Sequence, residues 1–289
     1  MSARFTAETF RWEVDAGSHW AFRLSGVEPV YFDGDRIRTR NWLDTKHADG
    51  AMHEPRFSFT LARLIELLDP RTYVDIGGYV GYFTILPLAW LAPTARVFCF
   101  EVNRRFCLLI RHSVDLNTHL STSRVFVQNA GIGESVKLAT DVFLEGFELR
   151  DSGPDGETNA HVDLLTLDHL YNTMSITPDL IKMDIEGYEA PAFRGGQALL
   201  RDARPTILFE LHSDGFLAPH GATRVGVMQE LEDLDYQLFA VLGDRSSPVV
   251  DHPLVRLGGA NRDAPAAQVN SGIVAIASER ASVLDQLCQ

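Results

Sequence analysis

The sequence has few cysteines, no long apolar run and no segment of biased composition. Its three cysteines, Cys99, Cys107 and Cys288, have no paired spacing, so we expect reduced thiols in a cytoplasmic protein rather than a disulfide framework. No uninterrupted apolar stretch is long enough to span a membrane, and the first ten residues lack the apolar core of a signal peptide. We find no internal repeat and no low-complexity tract.

Basic residues are also in deficit. The chain carries 26 lysines and arginines against 39 acids, a formal net charge of -13. Binding to a nucleic-acid backbone or to anionic lipid needs a basic surface, so we expect neither a nucleic-acid partner nor membrane association. The length of 289 residues allows one large α/β domain with an extension, or two small domains.

The most informative stretch is residues 73–84. An apolar run ends there in Asp75 and is followed by Gly77, Gly78 and Gly81 and by an apolar segment of helical length. This pattern predicts a strand, a tight turn and a helix, the first unit of an open α/β sheet. Ligands bind such sheets outside the carboxyl ends of the strands, so we expect Asp75 and the glycines to line a ligand site.

The order of acid and glycines decides between ligands. A dinucleotide turn places glycines against a pyrophosphate, which a carboxylate at Asp75 would repel. The same carboxylate would attract S-adenosylmethionine (SAM), which carries an ammonium and a sulfonium and no phosphate. Gly77 and Gly78 would let backbone approach the ligand, and Gly81 would let the helix pack on the strand. The alternative is a turn without a ligand, in which Asp75 caps the helix.

Two further strand ends extend this prediction. Residues 96–101 are an apolar run that ends in Glu101, and an acid at the end of the second strand can bind both ribose hydroxyls. A solvated strand end is the alternative. Residues 124–129 form a third strand, after which Asn129 and Ala130 offer side-chain and backbone groups for an adenine edge, or form a simple turn.

The first 52 residues differ from the rest of the chain. They hold three of the four tryptophans and short segments typical of strands, such as residues 10–14 and 30–32. We therefore divide the chain into an N-terminal extension, 1–52, and a catalytic domain, 53–289. The extension is expected to pack on the catalytic domain or on a partner subunit in a homodimer, or to form a lid over substrate.

Strands and helices alternate through the remaining chain, which predicts a mostly parallel sheet with helices on both faces. Pro87 predicts a kink or an early end in the helix that starts near residue 82. Other helices are expected at residues 57–68, 104–117 and 223–234, and other strands at residues 162–165, 180–184, 206–212, 237–242 and 271–277.

A second group of acids follows the strand at residues 180–184. Asp184 and Glu186 stand at its end, before a glycine. In the next strand, the period of two places Glu210 and His212 on one face. Lys182 is expected to pair with a carboxylate as a structural partner.

These blocks resemble the FkbM-family SAM-dependent methyltransferases over roughly residues 57–240. The resemblance rests on the glycine loop from Val74 to Thr84, on Phe100 and Glu101, on the block from Ile181 to Glu189 and on residues 209–212. It implies a class I methyltransferase (Rossmann-like) fold with a seven-stranded sheet whose last strand runs antiparallel. It also implies methylation of an oxygen, often a hydroxyl on a sugar or a natural product.

The resemblance assigns the methyl donor to specific residues. Two departures from the family pattern are Gly78, where alanine is common, and Val102, where proline often follows the acid. The expected SAM-binding residues are Asp75, Gly77, Gly78, Tyr79, Val80, Gly81, Glu101, Val102, Asn103, Asn129 and Ala130.

Transfer to a hydroxyl needs help in removing its proton, and the candidates are Asp184, Glu186, Glu210 and His212. In one version His212 is the base and a carboxylate orients it. In the other, Asp184 and Glu210 hold a divalent metal that lowers the pKa of the hydroxyl. A polar network that closes the sheet edge is the structural alternative. A SAM-binding regulator or scaffold without turnover and a nucleotide-binding oxidoreductase are the alternative functions, and the sequence does not identify the small-molecule acceptor.

Overall fold

The computed structural model describes residues 4–10, 12–16, 19–24, 26–33, 53–120, 122–145, 148–150, 152–258, 261 and 271–288. The strands in these ranges are β1 (Trp12–Ala16), β2 (His19–Leu24), β3 (Val30–Asp33), β4 (Thr72–Ile76), β5 (Arg96–Phe100), β6 (Val125–Gln128), β7 (Gly131–Ile132), β8 (Lys137–Glu145), β9 (Glu148–Arg150), β10 (Ala160–Leu165), β11 (Leu180–Met183), β12 (Thr206–Leu211), β13 (Tyr236–Val241), β14 (Leu254–Arg256) and β15 (Ser271–Ala277).

The α-helices in the same ranges are α1 (Pro55–Leu68), α2 (Tyr82–Ile85), α3 (Arg104–Leu116), α4 (Leu167–Asn172), α5 (Glu189–Arg194), α6 (Gln197–Asp202), α7 (Asp214–Leu217) and α8 (Arg224–Glu232). Short 3-10 helices cover Leu86–Ala89, Thr118–Leu120, Thr122–Arg124, Ala218–His220 and Ser278–Leu287. Pro87 ends α2 early, as predicted, because its ring cannot continue the α-helical turn. None of the helices in the described ranges has the length and apolar character needed to cross a membrane.

Eight strands form the central sheet, in the order β14-β13-β15-β12-β11-β4-β5-β6. From β12 to β6 all neighbours are parallel, whereas β15 is antiparallel to both β12 and β13. The predicted α/β class, the mostly parallel sheet and the antiparallel last strand are confirmed. The sheet has one strand more than the seven predicted, because β14 adds to the edge of β13.

The sheet separates two hydrophobic cores. Consecutive strand residues point to opposite faces, so Tyr73 packs in one core and Val74 in the other. The first core includes Phe59 of α1 and Ile110 of α3, and the second includes Phe193 of α5. Helices therefore cover both faces, which leaves the carboxyl ends of the parallel strands as the place for a site.

The β-rich N-terminus predicted from the sequence is a three-stranded antiparallel sheet, β1-β2-β3. Its buried Phe22 and Phe32 belong to the first core, where both rings contact the Tyr82 ring of α2 at centroid distances of 6.1 and 6.3 Å. Asn117, after α3, fixes the last strand: the backbone N–H of Tyr31 donates to its Oδ1 (2.8 Å), and its Nδ2 donates to the Tyr31 carbonyl (2.7 Å). The described part of the extension thus packs on the catalytic domain. A boundary at residue 52, a lid and a dimer contact stay predictions, and Trp42 lies outside the described residues.

A second, smaller sheet follows β6, in the order β7-β10-β8-β9. Its longest strand, β8, is continuous over nine residues. Leu149 of β9 and Leu164 of β10 project from this sheet toward the carboxyl ends of the central strands. The small sheet therefore forms one side of the site described next.

Candidate active site

A cavity of about 270 Å³ lies at the carboxyl ends of β4, β5 and β11, where the sequence predicts a site. One half is formed by the turn after β4, the end of β5 and the small sheet, and the other half by the acids after β11. Of the predicted site residues, those that line the cavity are Gly77, Tyr79, Glu101, Val102, Ala130, Asp184 and Glu186. Those that do not are Asp75, Gly78, Val80, Gly81, Asn103, Asn129, Glu210 and His212.

Glu101 is the acid of the first half. Its Oε2 accepts the backbone N–H of Tyr79 and its Oε1 that of Asn103, each at 2.7 Å. Burial raises the pKa of Glu101 to about 7, although these two donors favour the charged form. The side chain is 5% exposed and borders the cavity, so its carboxylate is held in a fixed orientation for a ligand.

Backbone shape brings the turn after β4 close to the strand beside it. Gly77 has φ +83°, and a Cβ there would collide with the carbonyl oxygen of Asp184. Tyr79 also lies in the left-handed region, with φ 48°, which aims its N–H at Glu101. The neighbouring strand end therefore requires a glycine at position 77.

The prediction that Asp75 lines the ligand site is wrong. Asp75 is fully buried, its Oδ1 lies 3.2 Å from Nζ of Lys182 and its Oδ2 accepts the Thr84 hydroxyl at 2.5 Å. Parallel register places Lys182 of β11 beside Asp75 of β4, and Lys182 also donates to the Gly77 carbonyl (3.0 Å). Burial alone lowers the pKa of Lys182, but the charges of Asp75, Asp184 and Glu54 and the hydrogen bond to Asp75 together outweigh burial, so the pKa is raised. Asp75 is thus a structural ion-pair partner under the turn, and the predicted pairing of Lys182 is observed.

Other predicted cofactor residues support the turn from behind. A Cβ on Gly78 would collide with Sγ of Cys99, and one on Gly81 would press on Ile110 of α3 rather than on a strand. Val80 is fully buried and Asn103 caps α3, with its Oδ1 accepting the Arg105 N–H at 3.0 Å.

The Asn129 side chain, one of the groups predicted for an adenine edge, does not line the cavity. Its Nδ2 donates to the carbonyls of Glu101 (3.0 Å) and Val102 (2.7 Å) and so fixes the end of β5. Ala130 and the neighbouring Gly131 do border the cavity. Any adenine contact on this side therefore falls to backbone at these two residues.

The second half of the cavity is acidic. Asp184 and Glu186 line it directly, and His212 lies behind them with 1% exposure. His212 Nε2 is 3.1 Å from Glu186 Oε2 and 3.7 Å from Asp184 Oδ1. Glu210 is also buried, and one of its oxygens lies within 4.8 Å of ligand atoms of Asp184 and His212. The four predicted catalytic residues are therefore brought together, but two of them are screened from the cavity.

Sequence reasoning missed two residues of this cluster, Glu189 and Arg245. Glu189, fully buried at the start of α5, lies with Oε1 2.7 Å from His212 Nδ1. Arg245, in the loop after β13, pairs with Glu54 (2.7 Å) and Glu210 (2.5 Å) and borders the cavity. Glu189 ends the acidic block that the sequence analysis singled out, so its spacing from Glu186 was an available signal. Arg245 belongs to no motif.

The crowding of carboxylates perturbs their protonation. Burial, with the charges of Asp184 and Glu54, raises the pKa of Glu210 to about 8. Burial by itself lowers the pKa of His212, but hydrogen bonds to Glu186 and Glu189 outweigh it and raise that pKa to about 11. The cluster thus favours positive charge at its centre.

Comparison with solved structures gives similar chains at low identity. A methyltransferase FkbM from Methylobacillus flagellatus KT is 17% identical with a TM-score of 0.43, and the match covers 72% of this chain and 44% of that one, less than half of its length. An O-methyltransferase from Bacillus cereus in complex with SAH is 15% identical (TM-score 0.47, 84% and 89% covered). TomG from Streptomyces achromogenes, an O-methyltransferase in complex with SAM, is 14% identical (TM-score 0.46, 84% and 91% covered).

A search of curated proteins finds no match to this chain. The model of the methyltransferase FkbM domain, by contrast, matches residues 75–238. That span runs from the end of β4 into β13 and contains both halves of the cavity except His53 and Arg245. It covers more than half of the chain and confirms the resemblance seen in the sequence: this protein belongs to the FkbM family of methyltransferases.

Proposed function

We propose that the protein transfers a methyl group from SAM to a hydroxyl of a small polar acceptor. This proposal rests on one observation: Glu101 at the end of β5 and Asp184 and Glu186 after β11 line one continuous cavity. A methyl donor on the Glu101 side would present its reactive carbon toward the two acids.

The donor half suits a nucleoside without phosphates. Its walls combine apolar side chains, such as Phe100 and Ile132, with the fixed carboxylate of Glu101. Carboxylates accept hydrogen bonds from ribose hydroxyls and repel a pyrophosphate. Since Asp75 is buried, the preference for a cationic ligand rests on Glu101, Asp184 and Glu186, which do face the cavity.

The acceptor half supplies a base. When bound, SAM supplies the methyl group: the acceptor oxygen forms the new C–O bond while the C–S bond breaks and its electron pair stays on sulfur. Glu186 borders the cavity and takes the hydroxyl proton in this scheme. Asp184, beside it, orients the hydroxyl so that oxygen, methyl carbon and sulfur are in line.

His212 acts through these acids rather than on the acceptor. It is 1% exposed, and its Nε2 faces Glu186 and Asp184 from behind. Its role in the scheme is to hold Glu186 in position, with Glu189 holding the opposite ring nitrogen (2.7 Å). A divalent ion at Asp184 and Glu210 is the second route to an activated hydroxyl, and the next section develops it.

The test has two steps. Calorimetry with SAM, NAD and ATP should show binding of SAM alone, and labelled SAM with a panel of sugars and hydroxylated natural products should then reveal the acceptor. With that acceptor, Glu186→Gln should keep its SAM affinity and lose about 100-fold or more in kcat. The matched control, Glu134→Gln, changes an exposed acid outside the cavity and should retain activity.

Two outcomes would contradict the proposal. Full turnover by Glu186→Gln would exclude this residue as the base. SAM binding with no methyl transfer to any acceptor would favour a regulator or scaffold, and NAD binding in place of SAM would favour an oxidoreductase.

A further inference from the structure

Three side chains at the acidic end of the cavity bring possible metal ligands together. Asp184, Glu210 and His212 each offer one atom, and these atoms lie within 4.8 Å of one another. Divalent transition metals bind carboxylate oxygen and imidazole nitrogen at about 2.0–2.2 Å, so two ligand atoms on one ion lie at most about 4.0–4.4 Å apart. The cluster is therefore close to the size that one ion requires.

His212 is oriented as a ligand by a second carboxylate. Its Nδ1 lies 2.7 Å from Oε1 of Glu189, and both side chains are at most 1% exposed. A metal-bound histidine typically donates its other ring N–H to a carboxylate, which fixes the tautomer and the ring plane. The contact with Glu189 leaves Nε2 facing Glu186 (3.1 Å) and Asp184 (3.7 Å), and Asp184 Oδ1 is buried without a hydrogen-bond partner.

The charges around the imidazole are unbalanced. Among the residues that the structure describes, Asp184, Glu186 and Glu189 form ion pairs with His212 and with no lysine or arginine. Arg245 pairs with Glu210, but through Oε2. Glu189 is fully buried and the other two carboxylates are about one-fifth exposed, so holding all three around one imidazole becomes less costly when further positive charge is bound. A divalent cation would supply it.

We propose that Asp184, Glu210 and His212 bind one divalent transition-metal ion, with Glu189 as the hydrogen-bond partner of the histidine. Because one ligand is an imidazole, the set suits Mn²⁺, Co²⁺ or Zn²⁺ better than Mg²⁺, which prefers oxygen ligands alone. Binding of the ion does not depend on the proposed function; only its role, polarising the acceptor hydroxyl beside Asp184, rests on it.

The experiment is a titration of chelator-treated full-length protein with Mn²⁺, followed by electron paramagnetic resonance of the free ion. We expect one ion per chain, with Mg²⁺ competing at least about tenfold more weakly. Asp184→Asn and His212→Gln should abolish binding, and Glu189→Gln should weaken it about 10- to 100-fold. The matched control is Asp141→Asn, which breaks an exposed aspartate–histidine pair on the small sheet.

Circular dichroism of each variant separates loss of the site from loss of the fold. Absence of Mn²⁺ binding to folded wild-type protein, or equal binding by the wild type and the folded Asp184→Asn and His212→Gln variants, would overturn the inference. Calorimetry with SAM on the same metal-free protein tests the proposed function separately. SAM binding and full turnover without metal would reject a catalytic role for the ion and support methyl transfer. Mn²⁺ binding without SAM binding would support the metal site and contradict methyl transfer from SAM.

Discussion

Glu101 gives the sharpest test of the donor half of the cavity. Its carboxylate is fixed by the N–H groups of Tyr79 and Asn103 and borders the space assigned to the donor ribose. Hydrogen bonds to a charged acceptor contribute about 1.5–3 kcal/mol. Replacing the carboxylate in Glu101→Gln should therefore raise the Kd for SAM about 10- to 150-fold, measured by calorimetry at pH 8.

The pKa of Glu101 adds a pH dependence to the same measurement. Burial raises this pKa from 4.5 to about 7, so about nine-tenths of the side chains are ionised at pH 8 and about one-tenth at pH 6. If SAM binds the ionised form, its affinity should fall about tenfold from pH 8 to pH 6. Folding stability has the opposite dependence. With the folded pKa above the unfolded one, the contribution of Glu101 is fully present below pH 4.5 and is lost as pH rises through 7.

Glu101→Gln should lose the part of the pH dependence of SAM binding that belongs to this group. The amide keeps one acceptor oxygen for the two backbone donors, so thermal unfolding of the variant must be measured to separate lost stability from lost affinity. Glu134→Gln, at an exposed loop position, should bind SAM as the wild type does. An unchanged Kd and pH profile in a folded Glu101→Gln variant would refute the assignment of the ribose to this acid.

Three further predictions concern the framework of the site. Lys182→Met leaves the charge of Asp75 buried without its partner and should lower the free energy of unfolding in urea by about 3–5 kcal/mol. Adding Asp75→Asn to the same chain should restore most of this loss, and no restoration would argue against the ion pair. Gly78→Ala should lower the free energy of unfolding by about 1–3 kcal/mol, because its Cβ collides with Cys99. Adding Cys99→Ala should relieve this loss, whereas strictly additive losses would show that the two sites do not touch. Asn117→Ala should cost about 1–3 kcal/mol and speed hydrogen exchange in the N-terminal sheet, whereas unchanged exchange would show that this residue does not hold it.

The sequence predicts well what depends on neighbours along the chain. The strand ends at Glu101 and Asp184 and the break at Pro87 follow from local periodicity and from one residue's chemistry. The location of the cavity then follows, because parallel strands end at the same edge of the sheet.

The sequence does not predict which side chains from separate strands and loops contact one another. The direction of Asp75 depends on the register between β4 and β11, which places Lys182 beside it, and a strand pattern alone carries no register. Arg245 and Glu54 are separated by most of the chain and meet only because β13 and α1 pack together. Glu189 ends the acidic block at a helix start, and only the fold shows that its partner is His212.

The position of β15 affects when the acidic end of the cavity can form. Glu210 lies opposite Gly272 in the antiparallel pairing of β12 with β15, and β15 also separates β12 from β13. During synthesis, β12 and β13 are both complete before residues 271–277 leave the ribosome, yet both still lack β15, the strand that lies between them. Contacts between segments so far apart in the chain form slowly. A nascent chain would therefore form the turn after β4 and the end of β5 well before β15 pairs with β12 beside Glu210. The part of the cavity assigned to the methyl donor should thus form earlier in synthesis than the acidic part assigned to the acceptor.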